Sequence, residues 1–409
     1  MCYGHLQLKK NFLYMGDIMI KHIVVGAGYV GLPLAVYLKT LGEDVGIIDV
    51  DPIKLGMIAQ GNNPLKGEPL PQGFMPTVST YGEGDVYWVC VPTPSTDEGV
   101  NLDYIFDCMN KIQQYSPEAL VIIKSTIPQS ALRILSATYK MPIGFSPEFL
   151  VQGDAYANVK DTSRRYLAMI GIHKHLPYVQ NLLDFELIEP SVACHIKTLA
   201  NNLLATRLQL INTYALTVWR DVVLTGLPDQ RLTPHEAHTA ICQMLNKVGA
   251  DPRIGTDYLD ASIGYGGSCL NKDLLNSANA LWCSDYMLDL YNANDSTIYA
   301  WYSNILQYVE NLNKLKMDDT KLQPIDTIYL VGSGFSAITK DTRNSPTSKF
   351  KDLLTAHFSV HIVDDLPLFI RQNELVINCR GVRKLPCGSR FINLVFQADT
   401  EKWRLINGI

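Results

Sequence analysis

The chain of 409 residues carries little charge, no long apolar run and no biased tract, and each of these absences removes a class of function. Crossing a bilayer takes about 20 consecutive apolar residues, and no stretch comes near that length. Charged residues are 18% of the total, the net charge is -5 and no basic stripe stands out, so the electrostatic footprint of a nucleic-acid binder is missing. With hydrophobic residues at 47% and no polar low-complexity segment, the chain is expected to fold throughout. Paired cysteines are also absent. The nine at positions 2, 90, 108, 194, 242, 269, 283, 379 and 387 are odd in number and lack metal-site spacing, which fits free thiols in a reducing, cytoplasmic compartment. Neither a disulfide nor a metal site is expected. The first 18 residues show no apolar core or cleavage site of a signal peptide. Met19, just before Ile20-Lys21-His22-Ile23, is the expected natural start, and 1-19 is read as an N-terminal extension.

What is present is long enough for two or three domains. From Ile20 an apolar run (Ile23-Val24-Val25), a glycine-rich turn, a helical pattern to Leu41 and a second run ending at Asp49 read as strand-helix-strand. Short apolar runs at Val86–Val91, Leu120–Ile123 and Pro142–Phe145 alternate with helical patterns near 103-114 and 129-138, the signature of a mostly parallel sheet covered on both faces. Between roughly 190 and 312 strand signals give way to 3.6-residue periodicity, as in Ile196-Leu199-Leu203-Leu204-Leu208-Ile211. After the polar stretch Asn311–Gln323, apolar runs at Thr327–Val331, Val360–Val363 and Leu375–Asn378 point to a second, smaller α/β unit.

Gly26-Ala27-Gly28-Tyr29-Val30-Gly31 is a G-x-G-x-x-G that follows a predicted strand and opens a predicted helix. In that context Gly26 permits a tight turn, Gly28 lets a pyrophosphate approach the backbone, and Gly31 lets helix and strand pack, while the helix N-terminus offers N–H donors. Asp49 ends the second strand, where a carboxylate accepts hydrogen bonds from an adenosine ribose and favours NAD over NADP. The other reactive segment is Gly264-Tyr265-Gly266-Gly267-Ser268-Cys269. The apolar run after it reads as a helix, so Cys269 is expected near a helix N-terminus, where the dipole favours the nucleophilic thiolate. A cysteine among glycines is by itself more often a packed small hydrophobe.

Over residues 20 to 350 the chain resembles the UDP-glucose/GDP-mannose dehydrogenase family. The resemblance rests on seven motifs in order: Gly26 through Leu32-Pro33, Val91-Pro92-Thr93-Pro94, Lys124-Ser125-Thr126-Ile127-Pro128, Phe145-Ser146-Pro147-Glu148-Phe149-Leu150, Lys197-Thr198-Leu199-Ala200-Asn201-Asn202, Asp251-Pro252-Arg253-Ile254-Gly255, and Gly264 to Asp273. The resemblance implies two Rossmann-like doubly wound α/β domains, for NAD at 20-189 and for the UDP sugar at 313-409. A central helical dimerisation domain at 190-312 would join them, giving a homodimer. It implies a metal-free four-electron oxidation of a sugar C6 alcohol with two NAD, through a thiohemiacetal and a thioester on Cys269. Lys197 and Asn201 would stabilise the alkoxide-like oxygen, Asp273 would transfer protons, and Thr126 and Glu148 would position water and act as acid–base groups. Besides Gly26, Gly28, Tyr29, Val30, Gly31 and Asp49, NAD contacts are implied for Lys54, Thr93 and Thr126. Substrate contacts are implied for Glu148, Phe149, Leu150, Lys197, Asn201, Tyr258, Gly266, Phe335 and Arg343, with Arg253 reaching the sugar from the neighbouring subunit.

Gly-Gly-Ser-Cys, in place of the Gly-Gly-His-Cys of relatives acting on N-acetylated sugars, resembles the UDP-glucose and GDP-mannose branches, and the Asp251–Tyr258 tract resembles short bacterial UDP-glucose 6-dehydrogenases. The chain also departs from the pattern. Gln152 replaces a carboxylate, Cys194 replaces an acid three before Lys197, Asn271 replaces a proline, and Ser336 replaces the lysine that serves the nucleotide end. Three alternatives stay open: GDP-mannose or another nucleotide sugar as substrate, an impaired homologue that only binds NAD or nucleotide sugar, and a two-electron dehydrogenase of the wider superfamily.

Overall fold

A computed structural model describes residues 20–96, 99–151, 153–227, 229–267, 269–280, 284–317, 323–334, 342, 344–365, 369–379 and 391–396. The first half forms an eight-stranded sheet from β1 (Lys21–Val25), β2 (Asp44–Ile48), β3 (Thr77–Val78), β4 (Val86–Val89), β7 (Leu120–Ile123), β8 (Ile143–Phe145), β9 (Tyr166–Ile170) and β10 (Glu186–Leu187). Its order is β10-β9-β8-β7-β4-β1-β2-β3. All neighbours run parallel except β8 and β9. A two-stranded hairpin, β5 (Ser95–Thr96) with β6 (Gly99–Val100), follows β4. The connecting helices are α1 (Gly31–Thr40), α2 (Pro52–Ala59), α3 (Asp103–Tyr115), α4 (Gln129–Thr138), α5 (Ala155–Lys160) and α6 (Leu176–Leu183).

Side chains alternate across a strand, and here both faces are covered. Ile23, Val25, Tyr87, Val89, Val121 and Ile123 enter one core with α3 and α4, whereas Val24, Val86, Trp88, Leu120 and Ile122 enter the other with α1. The departure at Cys194 finds its explanation in the first of these cores. Its thiol is buried, with a pKa pushed up to about 12 by that burial, so the position fills hydrocarbon space.

Four helical segments follow: α7 (Pro190–Trp219) with a π-helical turn at Arg220–Thr225, α8 (Pro234–Gly249), α9 (Leu270–Ala280) and α10 (Ser284–Met317). The first part of the polar run expected to lie beyond the helical stretch, 311–317, instead belongs to the end of α10. A four-stranded parallel sheet closes the described chain, ordered β12-β11-β13-β14, from β11 (Thr327–Val331), β12 (Ser359–Val363), β13 (Glu374–Asn378) and β14 (Phe391–Asn393), with α11 (Pro346–Leu354) against it. The helices and this sheet share one core. Trp219 of α7 lies edge-on to Trp301 of α10 at 5.4 Å, and Trp301 stacks on Phe396 at 6.3 Å, beside Ile328, Ile377 and Ile392. No described helix is long and apolar enough to cross a membrane.

The 30-residue α7 buries polar side chains among its apolar ones and exposes several large apolar residues. Lys197, Asn201, Asn202, Gln209 and Asn212 face inward, while Val192, Leu199, Leu203, Leu210 and Tyr214 are each more than half exposed. Their spacing of seven, four, seven and four keeps them on one stripe of the helix.

Candidate active site

The glycine turn sits between the end of β1 and the start of α1, and its three glycines meet different surroundings. Gly26 has φ +105° and its missing Cβ would lie 2.8 Å from the Cys90 carbonyl oxygen. A Cβ on Gly31 would lie 1.9 Å from the carbonyl oxygen of Gly26. At Gly28 no atom of the chain comes within 4 Å of that position. The first two glycines are therefore demanded by the fold, and the third opens onto free space of the kind a pyrophosphate needs. Val30 is the N-cap of α1, with no side-chain cap and no acid in the first turn, so no carboxylate competes with an anion for the positive end of the helix. Tyr29 reaches from this turn to the Lys66 carbonyl at 3.5 Å.

Asp49 lies just past β2 and accepts N–H bonds from Ala27 at 2.6 Å and Asp51 at 2.9 Å, which ties the carboxylate to the glycine turn. Asp51 in turn caps α2 by accepting from the N–H groups of Ile53 and Lys54. These residues fit a dinucleotide: an acid at the strand end, a helix terminus without a side-chain cap or an acid, and an open glycine between them.

The remaining motifs of the first half gather at the same edge, beyond the C-terminal ends of β4, β7 and β8, where open α/β sheets bind ligands. Thr93 donates to the Thr126 carbonyl at 3.0 Å and Ser125 to the Val91 carbonyl at 2.6 Å, tying two adjacent loops together. Lys272 reaches Thr93 from α9 at 3.4 Å. Lys124, buried, forms an ion pair with Glu148 at 2.5 Å and donates to Ser146 at 3.0 Å.

Against this edge α7 and α9 lie side by side. Asn201 donates to Asp273 at 2.5 Å and Asn202, one residue on, donates to Ser277 at 2.7 Å, so two amides of α7 join successive turns of α9. Cys269 directly precedes α9 and its carbonyl accepts the Asp273 N–H at 2.9 Å, which places the residue at the helix N-terminus with its side chain exposed. Lys197 lies one turn before Asn201. Burial pushes its ammonium below the usual lysine range, and the opposite pull comes from Cys269 first, then Asp273 and Glu148. Its Nζ stands 4.7 Å from the centre of the Phe149 ring. The arrangement brings Cys269, Lys197, Asn201, Asp273 and Glu148 into one charged cluster at the mouth of the dinucleotide edge. Asp273 also keeps one carboxylate oxygen, Oδ1, buried without a hydrogen-bond partner, 3.7 Å from the Lys272 ammonium.

Several residues that hold this cluster carry no sequence signal. Asn294 of α10 accepts from the Tyr265 N–H at 3.0 Å and donates to the Tyr265 carbonyl at 2.8 Å, and Asn212 accepts from Ser262 at 2.8 Å. Together they fix the loop in which Gly266 is buried and Gly267 takes φ +81°. Asn344, from the C-terminal part, donates to the Gly267 carbonyl at 3.3 Å. Glu68 is buried and accepts from the N–H groups of Gly153 and Tyr156, clamping the loop that follows Phe149 and Leu150. Lys124 belongs with them, since its motif pointed only to Thr126.

Arg253 stands apart from the cluster, its side chain 87% exposed and paired with Asp251 at 2.6 Å. Tyr258 is exposed too, with φ +56°. Phe335, Ser336, Arg343 and Gln152 lie outside the described residues.

Comparison with known proteins fits this geometry. The model of the UDP-glucose/GDP-mannose dehydrogenase family, NAD binding domain, matches residues 20–177, and that of the family's central domain matches residues 235–296. The UDP-glucose 6-dehydrogenase of Rickettsia bellii is 27% identical over 376 residues, 84% of this chain and 80% of the relative. The UDP-glucose 6-dehydrogenase YwqF of Bacillus subtilis is 27% identical over 370 residues, 81% of this chain and 76% of the relative. The chain spans only 36% of another relative, the uncharacterized protein MJ1054 of Methanocaldococcus jannaschii, at 27% identity over 340 residues, 75% of this chain. In fold, it is similar to UDP-D-ManNAc dehydrogenase from Pyrococcus horikoshii, with TM-score 0.71 and 19% identity over 92% of this chain and 99% of that one. Two family models, covering the dinucleotide edge and the cysteine loop, together account for more than half of the sequence: the chain belongs to the UDP-glucose/GDP-mannose dehydrogenase family, the NAD-dependent nucleotide-sugar dehydrogenases.

Proposed function

We propose that the protein is a UDP-glucose 6-dehydrogenase that converts UDP-glucose to UDP-glucuronate in a four-electron oxidation. The observation that carries this reading is the exposed Cys269 at the head of α9, in the same cluster as the buried Lys197. The serine-containing cysteine loop and the UDP-glucose 6-dehydrogenases among its relatives favour glucose as the sugar.

NAD, when bound at Gly26–Gly31, Asp49, Lys54, Thr93 and Thr126, supplies the hydride acceptor for both oxidations. Lys197 and Asn201 face the sugar's C6 oxygen and stabilise its negative charge. Cys269 sulfur adds to the C6 aldehyde to give a thiohemiacetal, whose oxidation leaves a thioester on the same sulfur. Water then adds to the thioester carbon, the C–S bond breaks, and the thiolate leaves with the carboxylate formed. Thr126 and Asp273 position that water, Glu148 takes up one of its protons, and the other leaves to solvent from the new carboxylic acid. Phe149, Leu150, Tyr258 and Gly266 line the sugar side, while Phe335 and Arg343 serve the nucleotide.

On this reading residues 20–189 bind NAD, 190–312 pair the subunits and 313–409 bind the UDP sugar. The exposed apolar stripe of α7 supports a homodimer, since a second copy would cover Val192, Leu199, Leu203, Leu210 and Tyr214. Arg253 then reaches the neighbouring site from its exposed position. We place the enzyme in the cytoplasm, consistent with the odd and scattered set of nine cysteines in its sequence.

The test mixes purified protein with NAD and limiting UDP-glucose and counts NADH. Two NADH per sugar is expected, and fewer at completion rejects the thioester scheme. Ser336 in place of the nucleotide-end lysine favours one other reading, a different nucleotide sugar such as GDP-mannose, which a substrate panel separates.

A further inference from the structure

We propose that Lys124 is a positioning residue that anchors the Glu148 side chain and keeps it apart from Lys197, so that both remain available for the reaction. The proposal rests on the acid–base role given to Glu148 above. Lys124 follows β7 and Glu148 lies beyond β8; the two strands are parallel neighbours with Ile123 opposite Phe145. Their side chains meet at 2.5 Å, inside the protein, and the ammonium is also bonded to Ser146 and stands 5.7 Å from the Phe185 ring. Lys124 is 3% exposed, which leaves no approach for a substrate. A buried ammonium needs a charge partner, and here the partner is a residue of the reaction cluster.

The groups facing Glu148 make the arrangement informative. Besides Lys124 they are Lys197, the half-buried Cys90 thiol and the buried Tyr166 phenol. Only Lys124 forms an ion pair with it among the described residues. Of the three amines in the cluster, Lys272 stands near Asp273 and Lys124 is paired with Glu148, whereas Lys197 lies over the Phe149 ring. Without Lys124, Glu148 is left to the charge of Lys197, with which it already interacts, and a pairing between them would let the oxyanion stabiliser and the proton acceptor neutralise each other. With Lys124 in place, one carboxylate oxygen is held and the other is left to accept a proton from water. The hydroxide adds to the thioester carbon, the C–S bond breaks, and sulfur leaves as Cys269 thiolate. The second proton, from the new carboxylic acid, passes to solvent.

The test compares Lys124→Met, Lys124→Gln, Lys124→Arg, Glu148→Gln and the double variant Lys124→Met/Glu148→Gln, following kcat and KM against pH with UDP-glucose and NAD and quenching for mass spectrometry of Cys269. Lys124→Met is expected to lower kcat about a hundredfold, to leave both KM values within a few-fold, to move the acid limb of the profile to higher pH and to accumulate the Cys269 thioester. Glu148→Gln should lose that limb, the double variant should be no worse than Glu148→Gln alone, and Lys124→Arg should recover most of the rate. Lys124→Gln keeps the bond to Ser146 without the charge and serves if Lys124→Met does not fold. A profile in Lys124→Met or Lys124→Gln that superimposes on the wild type, or additive losses in the double variant, overturns the proposal and leaves Lys124 a structural ion pair. Wild-type kcat and pH profile in Glu148→Gln would instead reject the role of Glu148 itself, however Lys124 behaves.

Discussion

Asn201 donates its amide N–H to the Asp273 carboxylate at 2.5 Å, a bond buried between α7 and α9 that sets the distance between the lysine helix and the cysteine helix. Removing the donor leaves a buried carboxylate short of a partner, which costs about 1–3 kcal/mol. Asn201→Ala should therefore lower the melting temperature and reduce kcat by about tenfold or more. Unchanged values of both, by calorimetry and NADH assay, would show the bond to be dispensable.

Glycine substitutions should separate folding from cofactor binding. Gly28→Ala meets no atom of the chain within 4 Å, so its effect on stability should stay within about 0.5 kcal/mol while NAD affinity falls at least tenfold. Gly31→Ala places a methyl 1.9 Å from the Gly26 carbonyl oxygen and should prevent folding. Equal losses of stability in the two variants would contradict the open space at Gly28.

Lys197 gives a pH signature with a defined sign. Burial lowers its pKa in the folded protein, so between that value and the unfolded one near about 10.4 the unfolded chain holds more protons. The penalty for burying the ammonium is present in full below the folded pKa and is relieved as pH rises through this window. Lys197→Met should thus be more stable than the parent at neutral pH, with the advantage shrinking toward pH 10, while its turnover is largely lost. A stability gain independent of pH, measured by denaturant titration, would argue against the assignment.

The apolar stripe of α7 should be an interface. Leu203→Glu puts a charge at a position 61% exposed in the single chain and is expected to give a folded monomer in analytical ultracentrifugation. Mixing Arg253→Ala with Cys269→Ala subunits should restore activity, because each mixed pair contains one site with an intact cysteine and the partner's arginine. No recovery after verified subunit exchange would confine Arg253 to its own chain or to the surface pair with Asp251.

The alternating runs of β1, β4 and β7 were legible because each strand is buried on both faces and bounded by a glycine, a proline or a polar turn. The glycine turn was legible for a different reason: steric demand at Gly26 and Gly31 leaves few other residues possible. α7 was readable as a helix, but its orientation was not. The periodicity of Ile196, Leu199 and Leu203 marks a helix without fixing which side is buried; Leu199 and Leu203 are exposed, while Lys197, Asn201 and Asn212 take buried places with partners that lie far along the chain. The supports were hidden for the same reason. Asn294 grips Tyr265 and Glu68 grips the loop after Leu150 through single long-range bonds to backbone, which no local pattern announces.

The shared core has a mechanical consequence. One end of α7 is anchored by Ala193 and Cys194 in the first sheet, and the other by Ala215 and Trp219 among the tryptophans of the last helices and sheet. A helix of this length is a strut of about 45 Å, and the lysine sits one turn from its first anchor. Any opening of the cleft must bend the strut farther along, so Lys197 travels as a fixture of the dinucleotide side while the far end swings.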